Sequence, residues 1–194
     1  MGHSQSEKAQ SRERILAAAS RQIRECGLES VSIAELMKQA DLTHGGFYGH
    51  FPSRSALIAA ALERALFDGE AASVAVTSRK GLRTLKSVVN SYLSPAHRDD
   101  AGEGCAIAAL AADVGRADPE VREIMMRRME LYFGEISRVL GDVPEADKLA
   151  ISMWCTMVGA IVLSRVFKGD ERSDVILRMA RKTILEQEKS AGGE

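Results

Sequence analysis

The chain has 194 residues, of which 45% are hydrophobic and 27% charged, a globular composition that suits one large domain or a small domain joined to a larger one. Lys and Arg number 26 and Asp and Glu 27, so the net charge of −1 excludes a strongly basic protein but leaves nucleic-acid binding open. Three widely spaced cysteines without a CxxC motif exclude a disulfide scaffold and indicate a reduced, cytoplasmic protein.

The composition favours helices. Ala, Leu, Met, Arg and Glu are plentiful, and no run of alternating apolar residues indicates a strand, so we predict an all-α fold of about nine helices. The first residues are polar and predict no signal peptide. Residues 149–163 are almost wholly apolar but fall short of the roughly 20 residues that span a bilayer. We therefore expect a deeply buried helix and no membrane partner.

The N-terminal part begins with one long and one short helix. Apolar residues at helical spacing predict a helix from about Glu7 to Cys26, which Gly27 ends. Ser32 and Glu35 have the spacing of a capping box, in which each residue bonds the other's backbone amide. A short second helix should follow them.

Two further helices follow a short break. After residues 41–42, Thr43 is a plausible N-cap for a third short helix, which Pro52 ends. Ser53 can cap a long fourth helix. The remaining predicted helices cover residues 82–93, 105–114, 119–140, 145–167 and about 175–184. Between the first two of these, His97 to Gly104 is the most loop-like segment.

The third helix has an unusual composition. Phe47 and Phe51 lie four residues apart and should face inward, which leaves Thr43, His44 and Tyr48 facing outward with His50 beside them. Three glycines in so short a helix cost roughly 1 kcal/mol each relative to alanine. Packing alone explains them poorly, whereas a close approach of the backbone to a phosphate chain or base edge explains them well.

These residues carry a family resemblance. Residues 42–57, Leu-Thr-His-Gly-Gly-Phe-Tyr-Gly-His-Phe-Pro-Ser-Arg-Ser-Ala-Leu, resemble the signature of the TetR family of transcriptional regulators. Residues 12–19 and 32–36 resemble the start of that family's first and second helices. The resemblance covers residues 9–66, about a third of the chain.

The resemblance implies a fold and a function. The fold would be an N-terminal three-helix helix-turn-helix domain, residues 1–54, followed by a larger helical domain for ligand sensing and dimerisation, residues 55–194. The function would be that of a homodimeric regulator that binds a pseudo-palindromic operator in double-stranded DNA and is released by a small-molecule inducer. A repressor is the expectation on family grounds, because the residues themselves do not distinguish repressor from activator.

The resemblance also assigns roles position by position. Its DNA-binding positions are Ser32, Thr43, His44, Gly45, Gly46, Tyr48, His50 and Arg54. Tyr48, His50 and Arg54 match phosphate contacts, while His44 and Gly45 should lie nearest base edges. Ser32 and Thr43 stand at helix N-termini, where they bind phosphate or serve only as caps. Two departures are Arg54, where the family usually has Lys, and the Gly45-Gly46 pair, which replaces larger residues.

The C-terminal body is expected to hold the ligand site and the dimer interface. The candidate ligand residues are Met125, Met129, Tyr132, Trp154 and Met157. Methionine suits varied apolar ligands, but these residues can equally fill a core. The last two helices should form the homodimer interface, because the apolar helix suits burial from two sides. An intrachain core is the alternative.

Cys105 is the candidate redox sensor. It follows Gly104 at the start of a helix, where free amides favour the thiolate. The segment is similar to a subset of TetR-like repressors, some of which respond to electrophiles or oxidants through a cysteine there. The alternative is a small buried hydrophobic residue. Cys26 and Cys155 lie within apolar stripes, and we expect them to be inert.

An enzyme is the first competing class. The four histidines include no pair four residues apart with a third ligand nearby, so we expect no metal site. No glycine-rich phosphate loop follows a strand, and we expect no cofactor and no catalytic activity. The second competing class is a helical protein-interaction module that no longer binds DNA. A steep salt dependence of DNA affinity would exclude that module.

Overall fold

The computed structural model describes residues 5–78 and 84–192, with the side chains of residues 5–69 and 84–192. These ranges contain nine α-helices, two short 3-10 helices and no strand. The α-helices are α1 Gln5–Cys26, α2 Ile33–Gln39, α3 Arg54–Ser78, α4 Leu85–Tyr92, α5 Pro95–Asp99, α6 Ala106–Val114, α7 Pro119–Leu140, α8 Ala146–Val166 and α9 Arg172–Ala191. The 3-10 helices are Leu28–Ser30 and His44–Gly49, and the latter is called the reading segment below. The predicted all-α class is confirmed.

The N-terminal helices share one small core. Helix α1 packs against α2 and along the first half of α3, and α2 packs against the reading segment. Ile15, Leu36, Phe47 and Leu57, one from each of these four elements, are at most 1% exposed. Burying such side chains stabilises the fold by about 1.5–3 kcal/mol each, so one residue per element suffices to hold the unit together.

Gly27 ends α1 in a conformation that other residues rarely adopt. Its φ is +87° and its ψ 167°, a region that is essentially restricted to glycine. The Gly27 amide donates to the Ile23 carbonyl, and the next amide, that of Leu28, donates to a carboxylate oxygen of Asp113 on α6 over 3.2 Å. The predicted end of α1 at Gly27 is confirmed. The hydrogen bond from Leu28 to Asp113 also joins the end of α1 to the C-terminal body.

The turn between α2 and the reading segment is fixed by two crossed hydrogen bonds. The Leu42 amide donates to the Met37 carbonyl over 2.8 Å, and the Asp41 amide donates to the Lys38 carbonyl over 3.1 Å. This is a Schellman motif, with Asp41 in the left-handed conformation at φ 58°. The predicted break at residues 41–42 therefore has a defined geometry, which sets the direction of the reading segment relative to α2.

The C-terminal body packs around α3, α7 and α8. Helix α3 contacts α4, α6 and α7, and α8 lies against α6, α7 and α9. Helix α8 is long and apolar enough to cross a membrane by length and composition, and 39% of that stretch is buried inside the fold. One face of α8 is buried as expected, whereas Ile151, Leu163 and Val166 are exposed in the single chain, and burial of that second face is left to the predicted dimer.

Three sequence predictions differ from the structure. The third predicted helix is a 3-10 helix, because its glycines favour an α-helix poorly. Part of the predicted loop is α5, which Ser94 caps by accepting from the His97 amide over 3.2 Å and which Pro95 opens. Helix α4 begins at Leu85, where Thr84 and Ser87 form a capping box. The predicted start at residue 82 lies outside the described residues.

Substitution of Gly27 by alanine should destabilise the protein. The new Cβ would lie 2.7 Å from Asp113 Oδ2, at a backbone φ of +87°. We expect the free energy of unfolding to fall by about 1–3 kcal/mol, measured by urea denaturation. Gly134→Ala is the matched control, because a Cβ on Gly134 would meet nothing within 4 Å. That variant should be at least as stable as the wild type, and a Gly27→Ala variant of wild-type stability would contradict the argument.

Candidate nucleic-acid interface

The reading segment presents one side to the core and the other to solvent. Phe47 and Phe51 are buried, and their rings stack with centroids 5.9 Å apart. Tyr48 stands edge-on to Phe47 at 5.2 Å but is 68% exposed. His44 is exposed as well. The predicted division into inward phenylalanines and outward polar side chains is what the structure shows.

The glycines of the reading segment are not required by packing within the chain. A Cβ added to Gly45 or Gly49 would meet nothing within 4 Å. A Cβ on Gly46 would lie 3.6 Å from Met37 Cε and from Thr43 Oγ1, which is ordinary contact. A bare backbone that faces open space is available to a surface outside the chain.

The two predicted caps behave differently. Ser32 Oγ accepts from the Glu35 amide over 3.4 Å, so Ser32 caps α2. The Glu35 side chain does not complete the predicted capping box. Thr43 precedes the reading segment and is exposed, and its hydroxyl makes no capping hydrogen bond.

His50 is half-buried at the end of the reading segment. Its Nδ1 is buried and has no hydrogen-bond partner among the described residues. Burial lowers the pKa of His50 below its ordinary value, and the nearby charges of Lys8 and Arg12 lower the pKa further. The imidazole is therefore neutral at pH 7 in the free protein, in a positively charged setting.

Arg54 holds together the loop that precedes α2. Its Nε donates to the Val31 carbonyl over 3.2 Å, and its Nη2 donates to the carbonyls of Leu28 and Glu29. The same Nη2 pairs with the Glu29 carboxylate at 3.2 Å. Sequence reasoning missed this set of bonds, because the three carbonyls are more than twenty residues away along the chain.

The five candidate ligand residues belong to the hydrophobic core of the chain or pack against it. Met125, Trp154 and Met157 are buried, while Met129 and Tyr132 are half-buried. Tyr132 stacks on Trp154 with ring centroids 4.7 Å apart. Trp154 Nε1 is buried and donates to no acceptor among the described residues, so this core contains an unused donor.

A second polar cluster, which sequence reasoning missed, surrounds Cys105. Cys105 is half-buried and caps the start of α6, and its amide donates to His97 Nε2 over 2.9 Å. His97 Nδ1 lies 2.6 Å from the Tyr92 carbonyl, so Nδ1 carries the proton and the imidazole is neutral. Arg165 of α8 donates to the carbonyls of His97 and Arg98. We call Tyr92, His97, Cys105 and Arg165 the α5–α6 cluster.

Two features fix the α5–α6 cluster in place. A Cβ on Gly104 would lie 2.7 Å from the Asp100 carbonyl oxygen, so only glycine fits there. Tyr92 stacks at a tilt on Trp154, with ring centroids 5.3 Å apart, which joins the cluster to the candidate ligand residues. The Tyr92 hydroxyl is buried, and burial raises the pKa of Tyr92 well above its ordinary value, with the neighbouring Cys105 thiol raising the pKa further.

The other two cysteines are not where we expected them. Cys26 and Cys155 are exposed, so the prediction that they lie within buried stripes is wrong. Cys26 is the last residue of α1, and Cys155 lies on the outer face of α8. No group of three or more His, Cys, Asp or Glu side chains in the described part of the chain could hold a metal ion.

The fold and this geometry define a class, a helix-turn-helix regulator of transcription. Residues 15–61 match the family described as bacterial regulatory proteins, tetR family. Residues 81–180 match the tetracyclin repressor-like C-terminal domain. The second match alone covers more than half of the chain. The chain belongs to the TetR family of bacterial regulatory proteins.

Individual relatives agree with the assignment. The chain is 29% identical over 187 residues to an uncharacterised HTH-type transcriptional regulator of Mycobacterium tuberculosis, covering 90% of this chain and 94% of that protein. Its fold is similar to a TetR-family regulator from Cytophaga hutchinsonii, with a TM-score of 0.80, 19% identity and coverage of 95% and 98% of the two chains. It is also similar to the reduced form of NemR from E. coli, with a TM-score of 0.74, 21% identity and coverage of 90% and 95%.

Acidification should weaken the fold through His97. Burial lowers the pKa of His97 below its ordinary value of 6.5, Arg165 lowers it further, and the Tyr92 carbonyl and Asp100 partly oppose them. The unfolded imidazole takes a proton as pH falls through about 6.5, whereas the folded one does so only at lower pH. The free energy of unfolding should therefore fall as pH drops below 6.5.

His97→Gln isolates this contribution. His50 and the carboxylates are common to both proteins, so the difference between the variant and the wild type reports His97 alone. Urea denaturation at pH 7.5 and pH 5 should show a smaller loss of stability for the variant. Equal losses in the two proteins would contradict a neutral His97 in the folded state.

Proposed function

We propose that the protein is a cytoplasmic, homodimeric repressor. It binds a pseudo-palindromic operator through the reading segment and is released by a small molecule or by modification of Cys105. The observation that carries the proposal is the outer side of the reading segment. A 68% exposed tyrosine, Tyr48, lies there with Gly45 and Gly49, where an added Cβ would meet nothing within 4 Å. Such a surface suits the major groove of double-stranded DNA.

The proposed DNA contacts divide into two groups. His44, with the bare backbone of Gly45 and Gly46, approaches base edges. Tyr48 and His50 contact phosphates, and the hydroxyls of Ser32 and Thr43 lie at helix N-termini that favour phosphate oxygens. Ser32 caps α2 at the same time, because one hydroxyl can accept from an amide and donate to a phosphate.

Arg54 has a double role in this proposal. Its Nε and Nη2 donate to the loop before α2, which holds Ser32 in place. Its Nη1 makes no hydrogen bond within the described residues and remains available for a phosphate oxygen. The substitution of Arg for the family's usual Lys thus gives the chain a residue that has enough donors for both tasks.

The exposed apolar face of α8 and α9 supports the homodimer. Ile151, Val162 and Val166 on α8, and Val175 and Met179 on α9, are exposed large hydrophobic side chains. The two helices pack against each other, so these side chains form one surface. A second copy related by a two-fold axis would bury it as a four-helix bundle.

The proposed ligand site lies among Met125, Met129, Tyr132, Trp154 and Met157. The unused Trp154 Nε1–H offers a hydrogen bond to an acceptor on an otherwise apolar ligand. The division of the chain into residues 1–54 and 55–194 is part of the same proposal. Helix α3 begins at Arg54, at the end of the first part, and its Leu57 still packs into the N-terminal core, so the two parts share this helix.

Release is proposed to be a shift between two arrangements of the dimer. A ligand, or a modified Cys105, that favours the arrangement with the wrong spacing of reading segments lowers operator affinity. A coupling free energy of about 1–3 kcal/mol is enough. A protein-interaction module remains the second candidate, but nothing in the geometry of the reading segment favours it over DNA.

Substitution of His44 and of Tyr48 should affect DNA binding in different ways. His44→Ala should relax the base preference at one position of each half-site, with a loss of about 1–3 kcal/mol in discrimination. Tyr48→Phe should weaken binding to every sequence about equally, since phosphates carry no sequence information. Sequencing of the fragments that each variant retains from a randomised duplex pool measures both effects. If both variants lose affinity equally on every sequence, the two roles are not separate.

Charge on the outer face of α8 should separate the dimer. Leu163→Glu should sediment as a 21.0 kDa monomer, because two carboxylates would be buried in the interface. Leu131→Glu on α7 is the matched control, since Leu131 and Leu163 are 58% and 55% exposed in the single chain. That variant should stay dimeric. A dimeric Leu163→Glu protein would show that the copies meet elsewhere.

Alkylation of Cys105 should release DNA. Because Cys26 and Cys155 are also exposed, the test uses a protein in which both are serine. A maleimide should abolish operator binding in that protein, measured by fluorescence anisotropy, and leave it intact once Cys105→Ser is added. Loss of binding in both proteins would mean that the reagent acts elsewhere, and retention in both would leave Cys105 without a sensing role.

A further inference from the structure

Two cations near the start of α1 share one face of that helix. Lys8 and Arg12 are four residues apart and exposed, so their side chains project on the same side about 6 Å apart along the helix axis. Neither forms an ion pair within the described part of the chain. Both precede residue 15, where the match to the family's N-terminal domain begins. Arg12 nevertheless lies within residues 12–19, which resemble the start of the family's first helix, whereas Lys8 precedes that resemblance.

One of these cations contacts an aromatic ring just after the reading segment. The Arg12 guanidinium lies 4.9 Å from the centroid of the Phe51 ring, a buried side chain next to His50. The quadrupole of an aromatic ring attracts a cation placed over its face. Lys8 and Arg12 are also close enough to His50 for both charges to lower its pKa. The face of Lys8 and Arg12 is thus continuous with the end of the reading segment.

Glu13, the acidic residue that follows Arg12, does not neutralise the charges of Lys8 and Arg12. It pairs with Arg64 of α3, and Arg64 also donates to Asp68 over 2.6 Å. Glu13 and Asp68 thus both pair with Arg64 in the contact between α1 and α3. Lys8 and Arg12 are like charges four residues apart on a helix and repel each other, and an anion placed against them would offset that repulsion.

We propose that Lys8 and Arg12 bind operator phosphates beside the reading segment, so that the DNA interface extends along the N-terminal part of α1. The inference rests on the proposed function, since it presupposes that the reading segment enters DNA. Lys8 and Arg12 would contact the phosphate backbone of the DNA. Such contacts add affinity and fix the register of the protein on the duplex without reading bases. The same contacts would offset the mutual repulsion between the two cations.

The test measures the salt dependence of operator affinity with the full-length dimer. Each phosphate contact contributes about 0.9 to the slope of log affinity against log salt. Lys8→Gln combined with Arg12→Gln removes two such contacts per protomer, so the slope should fall by about 2–4, with base preference unchanged. The control is Arg14→Gln, because Arg14 lies about 200° around the helix from Arg12 and donates to Ser11. Its slope should stay within about 1 of the wild type.

The outcomes separate this inference from the function on which it rests. If the wild type binds an operator and the double variant keeps the wild-type slope, the inference is wrong and the regulator proposal stands. A change of base preference in the double variant would also overturn the phosphate role. If the wild type binds no DNA, both fail. Lys8→Gln alone preserves the Arg12 contact with Phe51, so a smaller fall in slope, with an unchanged melting temperature, excludes misfolding as the cause.

Discussion

A single uninterrupted helix, α3, belongs to both halves of the molecule, and the arrangement of every other element depends on it. Its first half completes the core of the DNA-reading unit through Leu57 and Leu62. Further along, a Cβ on Gly69 would lie 3.7 Å from the Gly104 carbonyl oxygen, so α3 passes directly against the start of α6. Sharp kinks in helices occur at identifiable defects. In the proposed mechanism, a displacement of the C-terminal body along α3 therefore also moves the N-terminal unit formed by α1, α2 and the reading segment.

The contact between α1 and α3 strengthens this constraint with buried charge. Arg24 is 4% exposed, donates to the Ala65 carbonyl over 3.3 Å and lies 4.0 Å from Asp68. Arg64 pairs with the same Asp68. Burial lowers the pKa of Arg24. Breaking one partner of such a set leaves an uncompensated buried charge, so α1 and α3 move as one body.

The α5–α6 cluster lies between α3 and the two helices of the proposed dimer face. Arg165 connects it to α8, which carries part of the proposed dimer face, and Arg98 of α5 connects it to Ser173 and Asp174 of α9. Cys105 sits in the same cluster, against α3. A chemical change at that sulfur would alter contacts with the DNA-reading unit and with the dimer helices together, which is what a sensor requires.

The sequence allows prediction of the DNA-reading unit because its signals are local. Gly27, the Ser32 cap and the four-residue spacing of Phe47 and Phe51 each specify their own neighbourhood, and the family signature gave the order of the elements. The bonds of Arg54 and the α5–α6 cluster could not be predicted, since they join residues far apart in the chain. Which residues of α8 face its own chain could not be predicted, because an apolar helix has the same composition whether its partner is its own chain or another.

In the proposed dimer, the C-terminal bodies set the distance between the two reading segments. The dependence of affinity on operator spacing tests this most directly. The affinity of the dimer would be measured for operators whose half-site separation changes by one base pair at a time. A rigid connection through α3 predicts a sharp optimum, with half-sites about 10–10.5 base pairs apart or a multiple of that, and a steep loss two base pairs to either side. Affinity that stays level across the series would mean that each reading unit binds independently, and would contradict the account.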